Sequence, residues 1–260
     1  MNLLSLNICG VRDGVKRRRV ARLCSEHRVT FLAIQESRLS NINMFELRSL
    51  WGNFSFDFAV SSARGLSGGL ISIWDTAVFV KKNIVCMENA IFVYSEWVFS
   101  KFDCFVVNVY APQHLDQKRR LWRSILDFME ENPGEYFFCG DFNAVRNSNE
   151  RWGCSFSQRE ADDFNGFIDE AELIDVEMGG FAYTRVSPAA DKMSHIDRFL
   201  VTKGVIGRFP HLVAVALSNT ISNHRPICLK ELAVDFGPRP FRFFNSWMLE
   251  PTFLSTLSTS

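Results

Sequence analysis

Four short polar segments each follow an apolar run of this 260-residue chain, and they hold the residue types best suited to chemistry. Their central residues are Asn7, Glu36, the pair Asp141 and Asn143, and His224. Charged and amide side chains are costly beside a hydrophobic core unless they are partnered. Since each apolar run has the character of a buried strand, we expect the four segments to meet at one rim of a sheet. Carboxylate, amide and imidazole groups around a hard cation would suit the hydrolysis of phosphate esters.

Glu36 is the best candidate ligand for a divalent cation. It follows the apolar run Phe31–Ile34, and no helical pattern surrounds it. Mg²⁺ takes oxygen ligands and keeps several waters, so one or two carboxylates and a substrate phosphate suffice to bind it. The alternative is an acid that caps a helix or pairs with Arg38.

Asp141 and Asn143 lie one residue apart after the apolar run Tyr136–Cys139, so both can point from a turn towards one centre. Asp141 could orient an attacking water or take its proton, and Asn143 could hold that water or a phosphoryl oxygen. The alternative is a turn in which the two side chains bond only to their own backbone.

His224 precedes a further apolar run and could donate a proton to a phosphoryl oxygen as negative charge builds on it. A histidine in that role needs an acidic partner, and Asp197, at the start of a predicted strand, is the natural choice. Tyr110 ends another strand and would present its hydroxyl at the same rim. The alternatives are a surface histidine at a turn and an ordinary interfacial tyrosine.

The elements that must position these residues alternate between helix and strand, and the second half is rich in strands. Helices are predicted at 13–27, 116–131 and 159–170, the first with Val15, Val20, Leu23 and Cys24 on its inner face. Further strands are predicted at 70–74, 91–99, 102–110, 183–186, 195–201, 212–218 and 226–230. A long polar loop is predicted at 143–157. The pattern predicts an α/β fold, a two-layer β-sandwich of mixed sheets flanked by helices.

Composition excludes several classes of protein. No run of 18 or more apolar residues exists, so no membrane span is expected, and no signal peptide is recognisable. Seven scattered cysteines without a CxxC pair predict reduced thiols in the core rather than disulfides or zinc. The net charge is zero, but Lys16–Arg19 and Lys118–Arg120 are compact basic clusters. They are either solvated helix faces or contacts to a phosphate backbone.

Taken together, the order and spacing of these segments resemble the endonuclease/exonuclease/phosphatase superfamily. The resemblance is strongest to the apurinic-endonuclease-like domain of plant LINE-type (non-LTR) retrotransposons, and it runs from about residue 2 to residue 232. The segments that carry it are Leu6-Asn7-Ile8-Cys9-Gly10, Gln35-Glu36-Ser37-Arg38, Tyr110-Ala111-Pro112, Gly140-Asp141-Phe142-Asn143, Ser194-His195-Ile196-Asp197-Arg198 and Ser222-Asn223-His224-Arg225-Pro226.

The resemblance implies a four-layer, DNase I-like sandwich at 1–232. It also implies that 233–260 is a partly disordered connector towards a reverse transcriptase domain, because the stretch 241–247 resembles such a connector. For the cation, Mg²⁺ with Mn²⁺ as an alternative, it implies three ligands: Glu36, Asn7 and Asn223. For the reaction it implies that Asp141 activates water with support from Asn143.

Three further roles follow from the resemblance. Asp197 would orient His224, and Tyr110 would contact the scissile phosphate. The chain departs from the family pattern at Asn223, where the family has aspartate; the loss of that charge predicts reduced turnover. It departs again at Arg185, where the family usually has an aromatic residue, and a contact to DNA is expected to differ there.

The function expected from the resemblance is a magnesium-dependent endonuclease that nicks DNA at the start of retrotransposition. One alternative is a phosphatase or lipid phosphodiesterase on the same scaffold, and another is a decayed remnant that binds DNA without cutting it. Expected partners are DNA and, in a full-length polyprotein, a reverse transcriptase domain. We expect a monomer without membrane association, located in the nucleus or otherwise in the cytoplasm.

Overall fold

The computed structural model of the chain describes residues 1–52, 55–63, 68–218 and 221–232. The predicted connector, 233–260, lies outside the described residues. In chain order the strands are β1 (Asn2–Asn7), β2 (Phe31–Gln35), β3 (Asp57–Ser61), β4 (Leu70–Trp74), β5 (Phe79–Cys86), β6 (Ala90–Trp97), β7 (Phe102–Tyr110), β8 (Tyr136–Asp141), β9 (Arg151–Trp152), β10 (Leu173–Asp175), β11 (Met178–Gly180), β12 (Arg185–Val186), β13 (Met193–Ser194), β14 (Asp197–Thr202), β15 (Leu212–Ala216) and β16 (Ile227–Glu231). The helices are α1 (Gly14–Glu26), α2 (Met44–Trp51), α3 (Leu115–Glu131), α4 (Gln158–Glu170) and α5 (Lys203–Arg208), and a 3₁₀ turn spans Ser148–Glu150.

Two large mixed sheets form the centre of the molecule. The first has the strand order β11-β15-β16-β1-β2-β4-β3, and the second has the order β10-β14-β8-β7-β6-β5. Most neighbours are antiparallel, but β1 runs parallel to β2 and β7 runs parallel to β8. A small third sheet, β12-β13-β9, lies beside them.

Apolar side chains pack in three clusters, one between each pair of neighbouring layers in an arrangement of helices, sheet, sheet and helices. Between the two large sheets lie buried residues from both, among them Phe31, Trp74, Phe137 and Phe199. A second cluster joins the outer face of the first sheet to α1 and α2, and a third joins the outer face of the second sheet to α3 and α4. Burial of apolar surface on both faces of each sheet is the main driving force for this arrangement. The predicted α/β sandwich flanked by helices is confirmed.

The two-residue period of the strands explains how the core leads to a polar rim. Side chains of a strand alternate between its faces, so every second residue points between the sheets. In β8 these residues are Phe137, Cys139 and then Asp141, the last residue of the strand. In β1 the same face carries Leu3 and ends at Asn7. The inward face thus changes from apolar to polar where the strands end.

Several elements differ from the sequence prediction. Val15, expected on the inner face of α1, is 62% exposed, whereas Val20 and Cys24 are buried in the cluster to which α2 contributes. The predicted strand at 183–186 is reduced to Arg185–Val186, and the predicted loop at 143–157 contains the 3₁₀ turn and β9.

Some elements were not predicted, although one of them carries a clear signal. The helix α2 begins with a capping box in which Asn43 and Glu46 bond each other's backbone. The edge strand β5 exposes Lys81 and Lys82, which weakens its apolar pattern.

The thiols are partly where the sequence predicted them. Cys24, Cys104, Cys139 and Cys228 are buried and free, but Cys9, Cys86 and Cys154 lie outside the core. Over the ranges that the structure describes, no helix has the length and apolar character needed to cross a membrane.

Candidate active site

Three of the predicted site residues form one row across three neighbouring strands. Asp141 of β8 is paired directly with Tyr110 of β7 on one side and with Asp197 of β14 on the other. Directly paired residues point to the same face of a sheet. Here that face is the one that packs on the other sheet, since Cys139 and Phe199 precede and follow the acids on it. The row therefore lies at the open edge of the space between the sheets.

Asn7 joins the two sheets at this edge. Its Nδ2 donates to Oδ2 of Asp141 over 2.9 Å, and its Oδ1 accepts from the backbone N–H of Cys9. Gly140 fixes the approach of β8, because at its φ of +143° a Cβ would lie 1.9 Å from the carbonyl oxygen of Val109. Any side chain at this position would push the end of β8, and Asp141 with it, away from β7.

His224 lies against both acids of the row. Its Nδ1 is 2.9 Å from Oδ2 of Asp197, and its Nε2 is 3.9 Å from Oδ2 of Asp141. All three side chains are buried. Asp197 therefore fixes the orientation of the imidazole, and the opposite ring nitrogen points towards Asp141.

Burial and mutual charge shift the pKa of each of these groups. Burial, and then the charge of Asp197, raises the pKa of Asp141 to about 6, although His224 opposes the shift. Burial alone would lower the pKa of His224, but the carboxylates of Asp197 and Asp141 raise it to about 9. Burial and the charges of Glu36 and Asp141 raise the pKa of the Tyr110 hydroxyl, which stays protonated at neutral pH. The site thus combines carboxylates with two proton donors.

Thr184 holds Asp197 in place. Its buried hydroxyl accepts hydrogen bonds from the backbone N–H groups of Ile196 and Asp197, at 3.1 and 3.0 Å. The next residue, Arg185, pairs with His224 through an isolated bridge between their backbones. One short segment therefore supports both members of the pair formed by His224 and Asp197.

Asn143 is held at three points. Its backbone N–H donates to Asp141, its Nδ2 donates to the carbonyl of Ala111 over 2.7 Å, and its own carbonyl accepts from Nζ of Lys118 over 2.6 Å. Because Nδ2 is engaged, Oδ1 is the end of the amide that can accept a hydrogen bond from a bound water. The amine of Lys118 is buried and also pairs with Glu160.

Glu36 is the first residue after β2, and it has a left-handed backbone with φ of 55°. One carboxylate oxygen pairs with Arg38, while Oε2 lies 3.6 Å from Sγ of Cys9. Cys9, Arg38 and Asn143 also have positive φ, so four of the eight described non-glycine residues of this kind meet at one place. Unfavourable backbone conformations of this kind concentrate at functional sites.

The oxygens of this region fit a divalent cation by their chemistry. Glu36 offers a carboxylate, and Asn7 and Asn223 offer amide oxygens, the hard donors that Mg²⁺ and Mn²⁺ accept. A second group, formed by Asp141, Asp197 and His224, has donor atoms within 4.8 Å of one another. Nδ1 of His224 is already bonded to Asp197. We therefore interpret this second group as a hydrogen-bonded pair, His224 and Asp197, that lies beside the acid Asp141.

The predicted residues surround one cavity of about 180 Å³. Its lining includes Asn7, Glu36, Tyr110, Asp141, Asn143, Asn223 and His224, together with Cys9, Arg38, Gln113 and Arg185. Asp197 is the one predicted residue outside the lining, because it stands behind His224. A wider groove of about 800 Å³ adjoins the cavity at Tyr110 and Gln113 and extends to Arg120 of α3.

Several supporting residues escaped the sequence reasoning. The sequence pattern gave no role to Cys9 or to Thr184, the residue before Arg185. Lys118 was assigned to a basic surface cluster. The position of Lys118 gave a signal, since it falls one turn before the buried residues Leu121 and Trp122 of an amphipathic helix.

A buried polar layer lies between the sheets, one row below the acids. Nε2 of Gln35 donates to Asn108 over 2.8 Å and to Ser5 over 3.0 Å, and Asn108 donates in turn to the backbone of β2 and β4. Hydrogen bonds between buried polar groups of different strands favour one packing over others. This layer therefore fixes how the two sheets meet beneath the cavity.

Comparison with solved structures finds the same fold in several nucleases and a phosphatase. The AP endonuclease of Leishmania major superposes with a TM-score of 0.69 at 15% identity, over 88% of this chain and 86% of the other. A 3′ phosphatase from Neisseria, bound to a product DNA hairpin, gives 0.69 at 15% identity, over 89% and 99%. The endonuclease domain of TRAS1, a telomere-specific non-LTR retrotransposon, gives 0.64 at 14% identity, over 90% and 99%.

A search of curated proteins gave no match, but comparison with models of protein families identifies the family. The model of the endonuclease/exonuclease/phosphatase family matches residues 4–224, which is most of the chain and includes every residue of the cavity. Members of that family are hydrolytic nucleases and phosphatases that typically depend on a divalent metal. The chain belongs to the endonuclease/exonuclease/phosphatase family.

Proposed function

We propose that this chain is a magnesium-dependent endonuclease that nicks DNA, and that it serves as the endonuclease domain of a non-LTR retrotransposon. The observation that carries the proposal is the row formed by Tyr110, Asp141 and Asp197, with His224 bridging its two acids. It provides a base and two proton donors in one cavity, with an orienting acid behind the imidazole, the set that hydrolysis of a phosphodiester needs.

Asp141 is the proposed base. Above a pKa of about 6 it is ionised, and it can take the proton of a water that attacks phosphorus. Asn7 and the backbone N–H of Asn143 each donate to one of its oxygens, which fixes the direction of the carboxylate. Oδ1 of Asn143 accepts a second hydrogen bond from the same water.

His224 and Tyr110 are the proposed donors to the phosphoryl oxygens. His224 is protonated below a pKa of about 9, and it stabilises the charge that builds on those oxygens in the transition state. Asp197 is a positioning residue that acts through the imidazole. Glu36, with Asn7 and Asn223, would hold Mg²⁺ or Mn²⁺, which when bound supplies positive charge that neutralises the phosphate.

The groove beside the cavity supports a polymeric substrate. Its volume of about 800 Å³ far exceeds the need of a small phosphate ester, and Arg120 lies on its wall. Arg185 adds a second cation at the cavity itself. Cationic side chains along a groove suit a phosphate backbone. The likeness to the TRAS1 domain supports a retrotransposon origin. A protein of that origin would act in the nucleus and would have a reverse transcriptase domain as its partner.

Two other functions have specific support. The fold of the Neisseria 3′ phosphatase favours a phosphatase on the same scaffold. Asn223, where the family pattern has aspartate, favours a remnant that binds DNA without cutting it. Both alternatives use the groove, but only the phosphatase would release a product.

A plasmid assay separates these functions. We expect the purified chain with Mg²⁺ to convert supercoiled plasmid to the nicked circle, and Glu36→Ala to lose this conversion. Release of phosphate from a 3′-phosphorylated oligonucleotide without nicking would identify a phosphatase. Retention of labelled DNA without either reaction would identify a remnant, and equal conversion by both proteins would contradict the proposal.

A further inference from the structure

The thiol of Cys9 lies among the side chains assigned to the divalent cation. Its Sγ is 3.0 Å from Oδ1 of Asn223, 3.4 Å from Oδ1 of Asn7 and 3.6 Å from Oε2 of Glu36. The hydroxyl of Ser222 is 3.5 Å from the same sulfur. Cys9 is half-buried and belongs to the lining of the cavity.

The oxygens around this sulfur outnumber its one proton, although Asn7 also accepts from the backbone N–H of Cys9 and Asn223 from the hydroxyl of Ser222. A thiol carries one proton and can serve one acceptor at a time. Three oxygens face it, those of Asn7, Glu36 and Asn223, and the carboxylate carries a negative charge. A cation bound by the sulfur and these oxygens would contact all four atoms at once, which a single thiol proton cannot do.

We propose that the thiol of Cys9 is a ligand of this site, so that Cys9, Glu36 and Asn223 together bind thiophilic divalent cations such as Cd²⁺ and Zn²⁺. Soft thiolate donors select such cations, whereas Mg²⁺ prefers oxygen alone. On binding, the thiol releases its proton to solvent and its sulfur forms the bond to the metal. The inference rests on the metal site of the proposed function, but it does not require that DNA be cut.

Among the described residues, no other thiol lines the cavity. Cys24, Cys104, Cys139 and Cys228 are buried within strands or helices of the core. Cys86 is exposed at the end of β5 and serves as a matched control. Occupation of the site by a thiophilic cation should compete with Mg²⁺, because both need Glu36.

Titration with Cd²⁺ tests the inference without any substrate. The probe is the ultraviolet charge-transfer band that a thiolate gives when it binds cadmium. We expect wild type to show a saturable band with one Cd²⁺ per chain. Cys9→Ser should lose the band and bind Cd²⁺ at least about 10-fold more weakly, and Cys86→Ser should retain both properties. Glu36→Gln should weaken Cd²⁺ binding by a similar factor.

Cys9→Asp should reverse the metal preference of the site, from thiophilic cations to Mg²⁺. A carboxylate in place of the thiol should abolish the cadmium band and strengthen the binding of Mg²⁺. A band that persists in Cys9→Ser, or one that disappears in Cys86→Ser, would overturn the inference. So would unchanged Cd²⁺ affinity in Glu36→Gln. Failure of the nicking assay alone would contradict the proposed function. The cadmium titration would still decide whether Cys9 is a metal ligand.

Discussion

Asp141 and Asp197 are directly paired residues on the antiparallel strands β8 and β14, and the imidazole of His224 contacts both. Two buried carboxylates in this relation repel each other and raise the pKa of one of them. An imidazolium between them compensates the repulsion. The three side chains are therefore one electrostatic unit, and the protonation of His224 is linked to the stability of the fold.

The pair formed by His224 and Asp197 predicts how stability depends on pH in the metal-free protein. The folded state raises the pKa of His224 from 6.5 to about 9, so its contribution is fully present below pH 6.5 and is lost as pH rises through about 9. Urea unfolding should show a loss of up to about 3 kcal/mol across this window. The raised pKa of Asp141 has its effect at lower pH. Its contribution to stability is present below pH 3.8 and is lost as pH rises through about 6.

Two variants check this origin of the pH dependence. His224→Gln should lose the slope of unfolding free energy between pH 6.5 and 9. His114→Gln, at the start of α3, should keep it. The same slope in all three proteins would assign the effect to another group.

Thr184→Val should reduce both stability and activity. The hydroxyl accepts from two buried backbone N–H groups that water cannot reach, so its loss should cost about 1–3 kcal/mol. Asp197 should also lose its fixed position, and the nicking rate should fall by roughly 10-fold. The matched control is Thr76→Val, since Thr76 is exposed and its hydroxyl bonds that of Ser55 within the described residues. Equal effects of the two variants on thermal unfolding would contradict the assignment.

Lys118 and Arg120 belong to one basic cluster but should act differently. Lys118→Met removes the buried amine that holds the carbonyl of Asn143, so kcat for nicking should fall by roughly 10-fold with little change in KM. Arg120→Met removes a cation from the groove wall, so KM should rise and the salt dependence of DNA binding should weaken. Steady-state kinetics at two salt concentrations measure both. The same change in KM for both variants would show that the cluster is a single DNA-binding surface.

Asn223→Asp should increase nicking. The substitution puts a second negative charge beside Glu36 and so strengthens the binding of Mg²⁺, by roughly 10-fold if the side chain is a ligand. The measurement is the Mg²⁺ concentration that gives half the maximal rate, which should fall. No change in that concentration or in the rate would mean that position 223 does not contact the metal.

The sequence predicted the fold class and the residues around the cavity because both depend on local patterns. A polar residue at the end of an apolar strand, such as Asn7 or Asp141, is expected at the rim of the sheet, because it is costly in the apolar core. The helices α3 and α4 follow from apolar spacing and from the breaker Pro133-Gly134 after α3. The roles of the site residues stay predictions, since geometry brings them together without testing what each one does.

The remaining features could not be predicted because they depend on contacts between distant segments. The register that pairs Asp141 with both Tyr110 and Asp197 depends on which strands are neighbours. The burial of Lys118 follows from α4, whose Glu160 receives the amine. The edge strands carry weak patterns because one side of each faces solvent, as in β5.

The most direct test of the central claim compares wild type with Asp141→Asn in the plasmid-nicking assay with Mg²⁺, with the exposed Asp116→Asn as control. Asparagine keeps the size of the side chain but cannot take a proton from water. The rate should fall by roughly 10²–10⁴-fold in Asp141→Asn and stay unchanged in Asp116→Asn. Nicking by Asp141→Asn at the wild-type rate, in a preparation that Glu36→Ala shows to be free of other nucleases, would contradict the assignment of Asp141 and the site built around it.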